Sequence, residues 1–403
     1  MNYEQYIARC IEIARRGEYY VAPNPMVGAV LVRGGVTGYG LPVTGDGLPV
    51  TGEIIAEGWH ERFGEGHAEV NCFKKAESQE PRVKSYKDCT LFVSLEPCSH
   101  YGKTPPCAKL IIEKGVGKVV VGMLDPNPMV AGRGIAMLRE AGIEVVVGVL
   151  EKECRELNKR FLMLHEHHRP YVVLKWAQTA DGFVDRNRRP TPAEVLRTAT
   201  GSPIGQSPSP VKGGEKPTPD PSPEGREEKH LQGALAISTE RTKAIVHRMR
   251  AENMAIMVGT NTVIMDNPRL MTTHWEGRNP IRVTVDRHGR IPEDARIWGP
   301  TPGPSSDYAG IDPVIVYRER TDWEYILEDL AGRGIHSIMV EGGTTLLNHI
   351  LETGVWDEMH IEVAPEITIG EGVAAPNVNL SDFIGNLETV DGHQLYTIYR
   401  ESL

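Results

Sequence analysis

The stretch from Glu96 to Cys107 most constrains what this chain can fold into. Two cysteines, Cys98 and Cys107, bracket a loop rich in prolines and other turn residues, with eight residues between them. The apolar run 90–95 before the loop is typical of a buried strand, and the run 108–114 after it predicts a helix. Cys107 would then lie at a helix N-terminus, where the helix dipole favours the thiolate over the thiol. Two such sulfur atoms favour zinc, which takes sulfur and imidazole ligands.

The sequence His67-Ala68-Glu69 offers the remaining groups of a zinc site. A helix is predicted over 68–76, with His67 at its start as the third ligand and Glu69 beside the open fourth position. Three protein ligands and one open position are typical of a catalytic zinc site. His-x-Glu followed by Pro-Cys and a second Cys is the pattern of the zinc nucleobase deaminases. In that chemistry zinc lowers the pKa of bound water to about 7, and the glutamate transfers protons to the departing amine.

Each part of this pattern also has a simpler explanation. A His-x-Glu sequence is most often a solvated helix start, and two cysteines in an intracellular chain are more often buried thiols. The combination of all four residues, in this order and on these elements, favours the metal site. Its spacing also differs from that of the nucleic-acid deaminases, because their cysteines have two residues between them.

The segment Pro-Cys-Ser-His-x-Gly-Lys-Thr-Pro-Pro-Cys at 97–107 resembles the bifunctional riboflavin-biosynthesis deaminase/reductase family. Pro23-Asn24-Pro25 and the segment 125–134, which begins Asp-Pro-Asn-Pro, match the same family. The resemblance runs over nearly the whole chain outside two insertions. It implies an α/β protein with an N-terminal cytidine-deaminase-like three-layer domain and a C-terminal dihydrofolate-reductase-like domain.

The resemblance further implies two successive reactions on one phosphoribosylaminopyrimidine. The first domain would hydrolyse the 2-amino group of 2,5-diamino-6-(5-phosphoribosylamino)pyrimidin-4(3H)-one with Zn²⁺. The second would use NADPH to reduce the ribosyl unit to ribityl. Two alternatives stay open at this point: an active deaminase with a weak or non-catalytic reductase-like module, and a deaminase for nucleosides or nucleic acid. The cysteine spacing and the reductase half argue against the last.

The predicted domain plan follows the changes in composition along the chain. The zinc deaminase domain spans 1–148 and contains an insertion at 36–52, where a Gly-Leu-Pro-Val-Thr-Gly segment is duplicated within a hairpin. A connecting helix is predicted over 149–170, and the reductase domain spans 171–403. Its insertion at 187–233 is rich in proline and poor in apolar residues, so we expect it to be disordered.

The resemblance assigns further site residues by motif position. Asn24 is expected to contact the pyrimidine ring and Asn127 to shape the substrate entrance. Arg250, Leu270 and Glu341 fall at substrate contacts of the reductase. A Gly-Gly turn alone is weak evidence for a nucleotide site, and the turn at 341–345 lacks the usual dinucleotide fingerprint. The expected NADPH contacts are Ala177, Thr262, Asp266, Gly343, Thr344, Thr345, Leu346, Leu347, Asn348 and His349.

The chain departs from the family pattern in the reductase half. Where the family has Ser-x-Trp-Ile-Thr, this sequence has Ala234-Leu235-Ala236-Ile237-Ser238, and an expected arginine is Thr273. The last change removes a phosphate ligand, unless Arg269 or Arg278 replaces its charge. We therefore expect a working reductase with weakened substrate binding.

Composition limits the other partners of the chain. The 403 residues carry a formal net charge of −10, which argues against a nucleic-acid partner. Apolar runs stay below the ~18 residues that a membrane span requires, and the N-terminus lacks the basic and apolar regions of a signal peptide. The expected partners are the small-molecule substrate and further copies of the chain in a homo-oligomer. Cysteine usage favours the cytoplasm, because the following cysteines fall in apolar runs as core thiols: Cys10, Cys72, Cys89 and Cys154.

Overall fold

The structure is a computed structural model that describes most of the chain. It covers residues 3–34, 52–82, 85–101, 105–127, 131–188, 234–300, 313–379 and 385–400. The insertions predicted at 36–52 and 187–233 lie almost wholly outside these described residues, so their character stays a prediction.

The N-terminal half contains a five-stranded sheet in the order β2-β1-β3-β4-β5. Strand β1 pairs antiparallel with β2 and β3, while β3, β4 and β5 are parallel. The hairpin of β1 and β2 spans the predicted insertion, as the sequence indicated. The strands are β1 Gly28–Arg33, β2 Glu53–Trp59, β3 Cys89–Leu95, β4 Lys118–Met123 and β5 Glu144–Val147.

Helices cover both faces of this sheet because its central strands are apolar on both sides. Helix α1 (Tyr3–Ala14) packs on the face that presents Phe92, and α2 to α4 cover the face that presents Leu91 and Val93. The result is the three-layer arrangement expected from the sequence. The helices of the second face are α2 Ala68–Gln79, α3 Cys107–Glu113 and α4 Arg133–Glu140.

The connection between the two halves consists of two helices, α5 (Glu151–Leu157) and α6 (Lys159–His167), where the sequence predicted one. The break lies at Asn158. Its side chain accepts a hydrogen bond from the backbone N–H of Met26 at 2.8 Å and donates to the Met26 carbonyl at 3.0 Å. The prediction of one continuous helix was therefore wrong, because the local pattern of apolar residues cannot reveal a hydrogen-bond partner so far away in the chain.

The C-terminal half contains an eight-stranded sheet in the order β10-β9-β8-β11-β6-β12-β15-β14. The six strands from β10 to β12 in that order are parallel, and β15 is antiparallel to both of its neighbours. A separate antiparallel pair joins β7 and β13. The strands are β6 Tyr171–Thr179, β7 Phe183–Asp185, β8 Ala255–Gly259, β9 Ile281–Val285, β10 Val314–Tyr317, β11 Ser337–Gly342, β12 Glu358–Ala364, β13 Val373–Ala374, β14 Gly385–Val390 and β15 His393–Tyr399.

Four helices of the C-terminal half are described. Helix α7 (Glu240–Glu252) packs on the sheet face that presents Val173 and Met339, and the Thr242 N–H in its first turn donates to the Thr239 hydroxyl. Helices α9 (Trp323–Gly332) and α10 (Thr344–Thr353) pack on the opposite face. The short helix α8 (Thr260–Asp266) follows β8 directly.

Two further sequence expectations can be compared with the structure. The four cysteines predicted as core thiols are buried and free of disulfides. Within the described ranges, none of the helices has the length and apolar character needed to span a bilayer.

Candidate active sites

The predicted zinc ligands converge between two helix starts and the end of β3. His67 directly precedes α2, Cys98 follows β3, and Cys107 is the first residue of α3. His67 Nδ1 lies 3.6 Å from Cys98 Sγ and 3.4 Å from Cys107 Sγ. Tetrahedral zinc with ordinary bond lengths separates an imidazole nitrogen from a thiolate sulfur by about 3.5 Å. The three donor atoms therefore fit zinc in both chemistry and spacing.

The surroundings of Cys98 favour the thiolate that a metal requires. The Cys107 thiol and then His67 hydrogen-bond to Cys98, and the Cys107 backbone N–H donates to its sulfur at 3.2 Å. These contacts lower the pKa of Cys98 to about 4, against the opposing effect of burial. The same thiol–thiol contact raises the pKa of Cys107, so Cys98 ionises first and offers the negative charge that a cation requires.

Glu69 lies on the first turn of α2, beside the three ligand residues. Its side chain is only 3% exposed, and it interacts with the charge of His67 and with the Cys107 thiol. Burial raises the pKa of Glu69 above its ordinary value. A carboxylate in such a place is suited to accept a proton and return it.

Asn24 reaches this site through His60, which sequence reasoning did not single out. Asn24 Nδ2 donates to His60 Nε2 at 3.0 Å, and His60 Nδ1 donates to the Gly66 carbonyl at 3.1 Å. Burial lowers the pKa of His60 to about 4, so the ring is neutral and can accept the amide hydrogen. The rings of His60 and His67 lie edge to face with 5.4 Å between centroids. His60 thus fixes the orientation of Asn24 next to the zinc ligands.

Glu96 is a second residue that sequence reasoning missed. Its buried carboxylate accepts hydrogen bonds from the backbone N–H groups of Asp125, Gly132, Gly134 and Ile135 at 2.9–3.3 Å. Glu96 therefore ties the loop that carries Cys98 to the start of α4. Within the adjoining loop, the Asn127 N–H donates to the Asp125 carboxylate at 2.8 Å. Asn127 lies in this loop with its side chain partly exposed.

In the second half, Arg250 and Glu341 form a two-point ion pair. Arg250 Nε donates to Glu341 Oε1 at 2.6 Å, and Nη2 donates to Oε2 at 2.5 Å. Arg250 Nη1 also donates to the Met271 carbonyl at 2.9 Å. Burial opposes the charge on Glu341, but Arg250 outweighs it and lowers the pKa of the carboxyl. The two predicted substrate contacts thus meet as a fixed, charged pair.

A cavity of about 260 Å³ opens between α7, β12 and β15, and Lys175 and Glu362 line it. Lys175 also interacts with the charges of Glu341 and Arg250. Burial lowers the pKa of Lys175 from its ordinary value, although Glu341 and Glu362 oppose this effect. Glu362 accepts hydrogen bonds from Ser238 at 2.5 Å and from His393 at 2.7 Å. The cavity is therefore lined by both acidic and basic side chains.

The predicted cofactor segment begins at the turn between β11 and α10. Gly343 has a φ of 78°, and a Cβ atom there would lie 3.3 Å from Thr262 Oγ1. The backbone here thus approaches α8 closely, at the N-terminus of a ten-residue helix. Such N-terminal N–H groups suit a phosphate group, so the segment fits a nucleotide cofactor.

The other predicted reductase residues occupy different environments. Leu270 and Leu347 are 4% and 1% exposed and pack in hydrophobic clusters. Asp266 forms an ion pair with Arg188 at the end of α8, and Ala177 lies partly exposed on β6. The remaining members of the segment are Thr344, whose hydroxyl donates to Ala374, the exposed Thr345 and His349, and the partly buried Leu346 and Asn348.

Two family models match the chain. The cytidine and deoxycytidylate deaminase zinc-binding region matches residues 1–123, and the RibD C-terminal domain matches residues 170–391. The first match contains His67, Glu69 and both cysteines. The second contains the Arg250–Glu341 pair and the predicted cofactor segment.

Relatives of known name and structure match over most of the chain. The riboflavin biosynthesis protein RibD of Bacillus amyloliquefaciens is 34% identical, over 93% of this chain and 87% of that protein. RibD of Actinobacillus pleuropneumoniae is 33% identical, over 92% and 86%. The structure of a diaminohydroxyphosphoribosylaminopyrimidine deaminase/5-amino-6-(5-phosphoribosylamino)uracil reductase from Thermotoga maritima is 31% identical, covers 98% of both chains and gives a TM-score of 0.70. The chain therefore belongs to the RibD family of riboflavin biosynthesis proteins, with a zinc-binding deaminase domain followed by a reductase domain.

Proposed function

We propose that the chain catalyses two successive steps of riboflavin biosynthesis on one phosphoribosylaminopyrimidine. The deaminase domain hydrolyses the 2-amino group of 2,5-diamino-6-(5-phosphoribosylamino)pyrimidin-4(3H)-one. The reductase domain then uses NADPH to reduce the ribosyl unit to ribityl. The observation that carries the proposal is the triangle of His67, Cys98 and Cys107 with the buried carboxylate of Glu69 beside it.

In the deaminase domain, His67, Cys98 and Cys107 are the proposed zinc ligands. Zinc bound there would polarise a water molecule for attack on the ring carbon that bears the amine. The proton transfers are assigned to Glu69, because the other three residues would bind the metal. Its raised pKa suits a group that must be both base and acid in one cycle.

Glu69 is the proposed proton carrier of the hydrolysis. It accepts a proton from the attacking water and delivers it to the substrate ring. It then takes the remaining proton of the added hydroxyl, which becomes the carbonyl oxygen, and gives it to the amine as the carbon–nitrogen bond breaks. One water is consumed and one ammonia is released, and the carboxylate returns to its ionised state.

Asn24 and Asn127 are the proposed pyrimidine contacts. His60 accepts one hydrogen of the Asn24 amide, which leaves the Asn24 Oδ1 atom for an N–H group of the pyrimidine. Asn127 lies on the loop after β4 and is proposed to line the substrate entrance. Amide side chains can read both donors and acceptors on a pyrimidine edge.

In the reductase domain, Arg250, Leu270 and Glu341 are the proposed substrate contacts. The guanidinium of Arg250 is suited to the phosphate or hydroxyl oxygens of the phosphoribosyl unit. Because the Leu270 side chain is in the hydrophobic core, we assign its contact to the backbone, which has a φ of 55°.

Helix α8 and the start of α10 form most of the proposed NADPH site. NADPH supplies the hydride, while the protein binds and orients it. The N–H groups at the start of α10 face the cofactor phosphates, and Thr262 stands against Gly343. Buried Leu347 supports the segment by packing, and its more exposed neighbours make the contacts. The proposed set is Ala177, Thr262, Asp266, Gly343, Thr344, Thr345, Leu346, Leu347, Asn348 and His349.

A separate assay of each step tests this proposal. Purified protein should release ammonia from the diaminopyrimidine without NADPH, and should oxidise NADPH when given the deaminated intermediate. Ammonia release without NADPH oxidation at any intermediate concentration would instead support a non-catalytic reductase-like module. Absence of both activities from zinc-loaded protein would overturn the proposal.

We also propose that the chain forms a homo-oligomer and acts in the cytoplasm. Support for the compartment comes from buried free thiols, which suit a reducing environment. Light scattering of the purified protein tests the assembly, and fractionation of the source cells tests the compartment. A mass of one chain over a wide concentration range would contradict the first of these proposals.

A further inference from the structure

The turn that carries Asn24 is held by the reductase half of the chain. Arg278 Nε donates to the Tyr19 carbonyl at 3.2 Å, and Arg278 Nη2 donates to the Ala22 carbonyl at 2.7 Å. These two carbonyls flank the bend that precedes Asn24. The other end of the turn is held by Asn158 through its two bonds to the Met26 backbone.

Arg278 is buried, and hydrogen bonds hold its own backbone in place. It is 3% exposed, so its charge lies away from water and its hydrogen bonds to the carbonyls are charge-assisted. Its own backbone is anchored, because the Thr272 hydroxyl donates to the Arg278 carbonyl at 3.2 Å. The Thr272 backbone N–H in turn donates to the Oδ1 atom of Asn279 at 2.8 Å.

The neighbouring Gly277 gives independent evidence that the two halves fit closely here. A Cβ atom at Gly277 would lie 2.7 Å from the Ala251 Cβ and 3.1 Å from the Tyr19 Cβ. Only glycine leaves room for this approach, and its φ of 142° also favours glycine. The Trp275 ring packs edge-on against Tyr19, with 6.4 Å between centroids.

Two hydrogen bonds and a ring contact connect the turn held by Arg278 to the residues proposed to bind zinc. The Asn24 N–H donates to the Val21 carbonyl at 3.0 Å, so the backbone of Asn24 follows the turn. The Asn24 side chain donates to His60, whose ring lies against that of His67. A shift of the Ala22 carbonyl would therefore move the Asn24 amide relative to the zinc site.

We propose that Arg278, a residue of the reductase domain, is a positioning residue of the deaminase reaction. It holds the turn at 19–22 so that the Asn24 amide faces the pyrimidine. The proposal rests on the proposed function, because that function assigns the pyrimidine contact to Asn24. It makes the substrate affinity of the deaminase depend on a side chain from the other catalytic domain.

Steady-state ammonia release from the full-length protein tests this inference. Arg278→Met should raise KM for the diaminopyrimidine about tenfold and change kcat much less, because charge-assisted bonds to the turn are lost. Arg278→Lys should recover part of the loss by restoring one charged donor. Zinc content and NADPH oxidation with the deaminated intermediate should stay near those of the wild type. Arg333→Met is the matched control, since Arg333 pairs with Asp329 inside the reductase half.

A double-mutant cycle with Asn24→Ala separates the possible outcomes. If Arg278 acts through Asn24, adding Arg278→Met to Asn24→Ala raises KM no further. Additive effects, or an unchanged KM in Arg278→Met beside a raised KM in Asn24→Ala, overturn the inference alone. An unchanged KM in Asn24→Ala overturns the assigned role of Asn24 and the inference with it. Parallel loss of both activities and of zinc in Arg278→Met and Arg278→Lys would show a merely structural role.

Discussion

The Nδ1 atom of His67 lies 3.4 Å from the Sγ atom of Cys107, although 40 positions separate the two residues in the chain. Each residue stands at the start of a helix, and both helices pack on the same face of the first sheet. The hydrophobic core therefore holds both helix starts in place and sets the spacing of the donor atoms. A site prepared in this way should bind zinc tightly and with little rearrangement.

Cys98→Ala should remove most of the zinc from the purified protein. The wild type should contain one zinc per chain, because the triangle supplies three ligands, whereas the variant retains two. Cys89→Ala is the matched control, since Cys89 is a buried thiol at the start of β3, outside the triangle. Metal analysis after dialysis measures both. Stoichiometric zinc in Cys98→Ala would show that another residue completes the site.

Glu69→Gln should abolish ammonia release while the zinc stays bound. Loss of a general acid–base group typically costs about 10²–10⁴-fold in rate, and glutamine keeps the shape of the side chain. Glu65→Gln changes an exposed acid on the preceding loop and should leave the rate near that of the wild type. NADPH oxidation with the deaminated intermediate should survive in both variants. Ammonia release within a few-fold of wild type in Glu69→Gln would mean that another group moves the proton.

The three residues proposed to bind zinc could be brought together from the sequence because each stands at the boundary of a strongly patterned element. The buried strand before Cys98 and the helix that begins at Cys107 were predicted to within one residue for the same reason, whereas α2 extends three residues beyond its predicted end. His60 and Glu96 were missed because their roles depend on remote partners. Asn24 is 36 positions from His60, and Glu96 bonds to N–H groups 29–39 positions away.

The second half was harder to predict, because its less apolar segments include an exposed strand and a side chain whose partners lie far away in the chain. Strand β14 is exposed at five of its six residues and has no apolar run, so its pairing with β15 was not foreseen. Arg278 was considered as a replacement for the phosphate ligand missing at Thr273. The structure instead directs its guanidinium to carbonyls 256 and 259 positions earlier in the chain. No local pattern marks such a contact between domains.

Gly343→Ala should raise KM for NADPH by about tenfold, because it strains the backbone and pushes against Thr262 where the cofactor phosphates are proposed to bind. The added Cβ would lie 3.3 Å from Thr262 Oγ1, at a φ of 78°. Gly334→Ala is a close control, since its φ is 76° and no atom lies within 4 Å of the added Cβ. The measurement is NADPH oxidation with saturating deaminated intermediate. Equal effects of the two substitutions would remove Gly343 from the cofactor site.

Glu358 joins the connecting helix α6 to the second sheet, and its removal should destabilise that junction. Its carboxylate accepts from the Tyr171 hydroxyl at 3.0 Å, from His360 at 2.6 Å and from Lys159 at 3.2 Å. Burial opposes ionisation, but His360, then Lys159 and Arg160, outweigh it and lower the pKa of Glu358. Glu358→Gln should therefore lower the free energy of unfolding at pH 7 by about 1–3 kcal/mol.

The pH dependence of this effect has a definite sign. A carboxyl with a lowered pKa in the folded state stabilises the fold above its unfolded pKa, here near 4.5, and loses that contribution as pH falls through the folded value. The gap in urea midpoint between wild type and Glu358→Gln should therefore be present above pH 4.5 and narrow as the pH falls below it. Glu156→Gln also removes a partner of Lys159, but its side chain is 64% exposed, so it should change the midpoint little. A gap that widens as the pH falls below 4.5 would mean that Glu358 is protonated in the folded protein, and the ion pair with Lys159 would then contribute nothing to the junction.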